Sequence, residues 1–163
     1  MQARVGIVMG SDSDLDIMRA GGEVLHTLGI PYEFVIASAH RSPDKTAAYA
    51  RDAHARGIAV IIAGAGYAAH LGGALAAQTI LPVIGVPLDT SSLQGLDALL
   101  AISQMPAGIP VAAVTIGTAG AKNAAYLAAQ ILALSDAALA ERLRRYRQSL
   151  VEEIEKKDRT LRA

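Results

Sequence analysis

Five times along this chain a short, unbroken apolar run ends in a loop of small residues and gives way to a longer segment with helical spacing. The runs are Val5–Met9, Tyr32–Ile36, 60–63, 83–86 and 111–116. After the first, Leu15, Met18, Val24, Leu25 and Leu28 repeat at helical spacing until Gly29 stops them. Pro43 suits the first turn of a second helix, 43–56. Further helices are expected over 69–79, 96–104 and 121–134.

This alternation leaves few architectures open. Apolar runs without polar alternation are strands covered on both faces, and strand–helix repetition builds a parallel sheet between two helical layers. We therefore expect an α/β fold, a flavodoxin-like three-layer domain over residues 1–136. The strand order stays open. Ligands of such sheets bind at the carboxyl ends of the strands, so the loops that enter the helices are the candidate site.

The remainder, 137–163, reads differently. Leu139, Leu143, Tyr146, Leu150, Ile154 and Leu161 are separated by 4, 3, 4, 4 and 7 residues, with charge nearly everywhere between. That pattern predicts one amphipathic helix with a narrow apolar stripe, packed on its own domain or on a neighbouring subunit.

Charge is segregated. The 15 basic and 15 acidic residues cancel, which argues against a nucleic-acid partner. Yet 57–135 carries only Asp89, Asp97 and Lys122 as charged residues, whereas thirteen follow from Glu141 onward. A monomer seldom shows water so bland a surface. Polar residues, Gly or Pro interrupt each apolar run before roughly 18 residues accumulate, so no membrane span is expected. Met1-Gln2-Ala3-Arg4 does not open a signal peptide. The expectation is a cytoplasmic homo-oligomer. With no cysteine there is no disulfide, thiolate metal site or cysteine nucleophile.

Three loops hold the reactive groups. The first, Gly10-Ser11-Asp12-Ser13-Asp14, fits either helix capping or an anion at a helix start. The second, Ala37-Ser38-Ala39-His40-Arg41-Ser42-Pro43, supplies a hydroxyl, a proton carrier and a cation that pairs with phosphate or carboxylate. The third runs from Ala63 through Gly64, Gly66, Tyr67, Ala68, Ala69 and His70 to Leu71. Its small residues serve close ligand approach or close packing equally well. The stretch 87–95 is flexible enough for a lid. Lys122, expected in a first helical turn, is either solvated or turned to a ligand or an acidic neighbour. His26 and His54 fall on helices away from the strand ends, and no histidine spacing matches a metal cluster.

Met9-Gly10-Ser11-Asp12-Ser13-Asp14, Ser38-Ala39-His40-Arg41-Ser42-Pro43 and Ala63-Gly64-Ala65-Gly66-Tyr67-Ala68-Ala69-His70-Leu71 occur in order and spacing. They are followed by Gly85-Val86-Pro87, Gln104-Met105-Pro106, Gly108-Ile109-Pro110-Val111 and Ala119-Gly120-Ala121-Lys122-Asn123. This set resembles the class I branch of the phosphoribosylaminoimidazole carboxylase catalytic-subunit family, over residues 4 to about 136. The resemblance implies an octamer with active sites at subunit junctions. It implies an isomerase of de novo purine synthesis that moves a carboxylate from the exocyclic nitrogen of an aminoimidazole ribonucleotide to ring carbon C4. No cofactor, metal, biotin or ATP is implied.

By the same resemblance His40 is the general acid/base. Ser11, Ser13, Ser38 and Arg41 hold phosphate, and Asp14 the ribose hydroxyls. Gly64, Gly66, Ala68, Ala69, His70 and Leu71 face the base and the migrating carboxylate. The chain departs from the family at Ser42 (usually Thr), at Tyr67 (usually Gly), and at Leu71-Gly72-Gly73-Ala74 (usually Leu-Pro-Gly-Met). Direct carboxylation with carbon dioxide, the class II activity, is the nearest alternative, although that branch usually has Lys where this chain has Arg41. A ribonucleotide-binding paralogue without turnover, or a receiver-like module on the same fold, are the alternatives from another class.

Overall fold

The computed structural model describes residues 4–162. The elements, in order, are β1 (Val5–Met9), α1 (Leu15–Thr27), β2 (Tyr32–Ile36), α2 (Pro43–Ala53), β3 (Val60–Ala65), α3 (Leu71–Ala76), β4 (Val83–Pro87), α4 (Leu96–Ser103), β5 (Ala112–Ala113), α5 (Gly117–Ala133) and α6 (Ala137–Arg162). The five strands form one parallel sheet in the order β2-β1-β3-β4-β5. This is the doubly wound, flavodoxin-like order, whose crossovers place helices on both faces.

Alternate residues of the central strands feed two cores. Val5, Ile7 and Met9 of β1, with Val60 and Ile62 of β3, meet α1 and α5. Val8 of β1, with Ile61 and Ala63 of β3, meets the α2, α3 and α4 layer. That division follows from the two-residue side-chain period of a strand. The α1–α5 contact is made close by small residues. A Cβ on Gly21 would stand 2.8 Å from the Ala121 carbonyl oxygen, and Ala121, Ala124, Ala125, Ala128 and Ala129 are all buried along the facing stripe of α5. The alanine abundance of the chain is thus a requirement of close helix approach.

Four elements differ from the sequence expectation by three residues or more at one end. β5 shrinks from 111–116 to Ala112–Ala113. It is an edge strand paired only with β4, and Thr115 O lies close against Gly120 as α5 begins. α5 starts at Gly117, not at 121, so Lys122 lies in its second turn. There it is exposed, on a groove with α1 and α6 and away from the strand ends. α3 begins at Leu71 because Ala69 adopts φ +44°, which no α-helix accepts. α2 ends at Ala53, and the chain then turns through Gly57 at φ +88°.

α6 docks by its first half. Leu139 is buried, Arg142 Nε donates to the Leu28 carbonyl at 2.9 Å, and Tyr146 stacks on Tyr126 with ring centroids 4.5 Å apart. From Leu150 onward every described residue of α6 is exposed. The expected segment bounds at residues 1 and 163 lie outside the described residues.

Candidate active site

The loops after β1, β2 and β3 converge on one cleft of about 730 Å³ at the carboxyl ends of the strands. That volume suits a nucleotide-sized ligand. Other grooves run along α6, but they contain none of these loops.

The first loop is shaped by reciprocal capping. Ser11 Oγ accepts from the Ser13 N–H at 3.4 Å, and the Ser11 N–H donates to Asp14 Oδ2 at 3.1 Å. Capping and cleft lining therefore coexist in the same residues: Ser11, Ser13 and Asp14 all line the cavity. Asp14 is only 8% exposed. Burial pushes its carboxyl above the ordinary carboxylate range, against the opposing pull of the Ser11 N–H, the Ser13 side chain, the Gly10 N–H and the Arg41 charge.

The second loop is folded by its own hydroxyls. The Ser38 N–H donates to Ser42 Oγ at 2.9 Å, and the Arg41 N–H donates to Ser38 Oγ at 3.2 Å. Arg41 Nη2 then donates to the Gly10 carbonyl at 2.8 Å, tying the second loop to the first. The guanidinium stays exposed beside Ser11 and Ser38, as phosphate recognition requires.

The third loop brings His70 to His40. His40 Nε2 and His70 Nδ1 are 2.7 Å apart, with the rings near edge-on at 68°. One nitrogen must donate and the other accept, so the contact holds one proton between two carriers. Gly66 passes so close to Thr90 that a Cβ there would overlap Thr90 Oγ1. Tyr67 and Ala69 take positive φ, +53° and +44°, a conformation costly for residues with a side chain and concentrated at functional sites.

Of the expected site residues, His40, Ser11, Ser13, Asp14, Ser38, Arg41, Gly66, Ala68, Ala69, His70 and Leu71 all line this cleft. Gly64 does not. It is buried inside β3, and a Cβ on it would stand 2.5 Å from Met18 Sδ, so its smallness serves packing under α1. The sequence marks the loop of Thr90 as a lid but not Thr90 itself, which joins the wall where the loop after β4 lies against Gly66 at the end of the adjacent β3. The loop leading into α5 contributes nothing to this cleft among the described residues. Nor do any three His, Cys, Asp or Glu side chains gather there or elsewhere among those residues as a metal would need. No helix among them is long and apolar enough to cross a membrane.

Comparison with known proteins adds an independent line. The family model described as AIR carboxylase matches residues 4–153. The N5-carboxyaminoimidazole ribonucleotide mutase of Pyrococcus horikoshii is 53% identical over 157 residues, which are 96% of this chain and 88% of that protein. The protein of the same name from Escherichia coli is 51% identical over 152 residues, 93% of this chain and 90% of its own. The crystal structure of Treponema denticola PurE superposes with a TM-score of 0.88 at 31% identity, covering 98% of both chains.

Proposed function

The chain belongs to the AIR carboxylase family, and from that premise we propose how its cleft carries out the mutase reaction. The enzyme is an isomerase of purine biosynthesis, an N5-carboxyaminoimidazole ribonucleotide mutase like its relatives. In the reaction the carbamate N–C bond breaks, the exocyclic nitrogen takes a proton, and carbon dioxide is released beside the ring. C4 then attacks that carbon dioxide and gives up its proton, leaving 4-carboxy-5-aminoimidazole ribonucleotide. No atom or electron is gained or lost.

His40 is the general acid/base that gives the proton to nitrogen and takes it from carbon. The single observation that carries this reading is the His40 Nε2–His70 Nδ1 contact at 2.7 Å, inside a cleft walled by glycine and alanine. Such a pair stores one proton at the reaction centre, and the small-residue wall leaves space for a migrating carboxylate. Holding carbon dioxide against C4 converts recombination into an effectively unimolecular step. Arg41, Ser11, Ser13 and Ser38 bind the phosphate, with Asp14 on the ribose. Gly66, Ala68, Ala69, His70 and Leu71 face the base and carboxylate.

The enzyme works in the cytoplasm as an assembly of copies, eight by family resemblance. Fully exposed Ile80 and almost fully exposed Leu134, with Leu93 and Leu96 more than half exposed, support burial between subunits. The bare second half of α6 supports its docking on a neighbour. The deciding assay feeds the purified chain the N5-carboxylated ribonucleotide, and separately aminoimidazole ribonucleotide with carbon dioxide. Isomerisation of the first with little product from the second is expected. The reverse preference would overturn the mutase reading in favour of direct carboxylation.

A further inference from the structure

α6 has two unlike halves. Up to Tyr146 it docks on its own domain, whereas from Leu150 onward its described residues are all exposed. At 1.5 Å per residue the bare half is about 20 Å long. It shows water Leu150, Val151, Ile154 and Leu161, which helical spacing gathers on one side. Its ion pairs, Lys157–Glu153 and Arg162–Asp158, lie within the helix and in solvent, where such pairs contribute little. A helix of that length standing alone is marginal in water. A seat of matching character lies beside the docked half. α5 and α6 enclose a groove of about 490 Å³, lined by half-buried Tyr126, Leu143 and Tyr146 and rimmed by exposed Arg144 and Arg147. Leu134, 88% exposed, stands one turn beyond Gln130 at the end of that groove.

Charge selects the occupant and its direction. Residues 142–147 carry Arg142, Arg144, Arg145 and Arg147 with no acid, and 152–155 carry Glu152, Glu153 and Glu155 with no base. A groove rimmed by arginine suits an acidic amphipathic helix, which the bare half is. α6 is unbroken from Ala137 to Arg162, so that half cannot turn back onto its own groove. We propose that the α6 helices of two copies lie antiparallel about a two-fold axis, each bare half filling the other copy's α5–α6 groove. The two charge blocks flank residue 149, which puts the axis there and sets each acidic block against the other copy's arginines. A parallel pair in register would set like on like. Because the contact is isologous, both grooves fill at once. In this register Leu161 of one copy comes level with Ala137 of the other, near the exposed Leu134. The inference rests on the assembly of copies proposed above and gives it one specific contact.

The chain has no cysteine, so single cysteines report the contact on the full-length protein. Val151 is two residues from the axis and would lie roughly 6 Å along it from its counterpart, whereas Leu161 is twelve away and would lie roughly 36 Å from its own. Both are exposed, so Val151→Cys and Leu161→Cys leave the core untouched. With a short bismaleimide, Val151→Cys is expected to give a covalent dimer on a denaturing gel, several-fold above Leu161→Cys, which also serves as the collision control. Reversing the acidic block of Val151→Cys with Glu152→Lys, Glu153→Lys and Glu155→Lys is expected to lower that yield several-fold, and adding Arg144→Glu and Arg147→Glu to restore it. Equal cross-linking at both positions would mean a parallel pair and overturn the proposal, as would a yield indifferent to charge reversal. Light scattering on the unaltered chain separates the two readings. An assembly in which Val151→Cys does not cross-link sinks this contact alone, whereas a monomer sinks the assembly with it and leaves the face to another partner.

Discussion

His40 and His70, thirty residues apart in sequence, meet through Nε2 and Nδ1 at 2.7 Å. The loops after two strands, β2 and β3, bring them together, because β1 sits between those strands and the cleft spans it. A single proton between them makes each ring's role depend on the other.

Replacing His40 with Asn keeps a polar group of similar size and removes the proton carrier. Turnover is expected to fall by on the order of 10² to 10⁴-fold, while ribonucleotide affinity, read by calorimetry, changes little. Near-normal turnover would remove His40 from the chemistry.

On the proposed reading Arg41 binds a phosphate that does not react, and its bond would be equal in ground and transition states. Arg41→Ala should raise KM by roughly tenfold or more, as for loss of a charge-assisted bond worth about 1.5–3 kcal/mol, with kcat nearly unchanged. Steady-state kinetics decide this, and an unaltered KM takes Arg41 out of the phosphate site.

Burial raises the Asp14 carboxyl above its ordinary range, so the folded chain holds that proton to higher pH than the unfolded chain. Stability from this group is present below the ordinary carboxylate value and is lost as pH rises through the raised one. Asp14→Asn keeps an acceptor for the Ser11 N–H and abolishes the titration. Urea melts of both proteins across that acid window should show the variant gaining on the parent as pH rises. A constant difference across the window contradicts the assignment.

Gly21 tests the helix contact. Helix propensity alone favours alanine over glycine by about 1 kcal/mol. Here the added Cβ would meet the Ala121 carbonyl at 2.8 Å, and backbone yields less readily than a side chain. Gly21→Ala should therefore be destabilising by about 1–2 kcal/mol net, seen as a lower thermal midpoint. A stabilised variant would mean that α1 and α5 separate freely.

Much of this protein was already determined by local order along the chain. The bounds of β1 and β2, the stop of α1 at Gly29 and the loops bearing His40 and Arg41 follow from apolar period and from where Gly and Pro interrupt it. Those signals act over a few residues, so one sequence displays them.

Only the tertiary structure decided the rest. The order β2-β1-β3-β4-β5, the shortening of β5 at the sheet edge and the withdrawal of Lys122 from the cleft depend on which distant segments pair. The same holds for Gly64, whose missing Cβ is met by Met18 and which does not line the cleft, and for Thr90, which completes the wall against Gly66. A glycine that admits a substrate and one that admits a neighbouring side chain are the same letter in a sequence. They differ only in what the fold places against the missing Cβ.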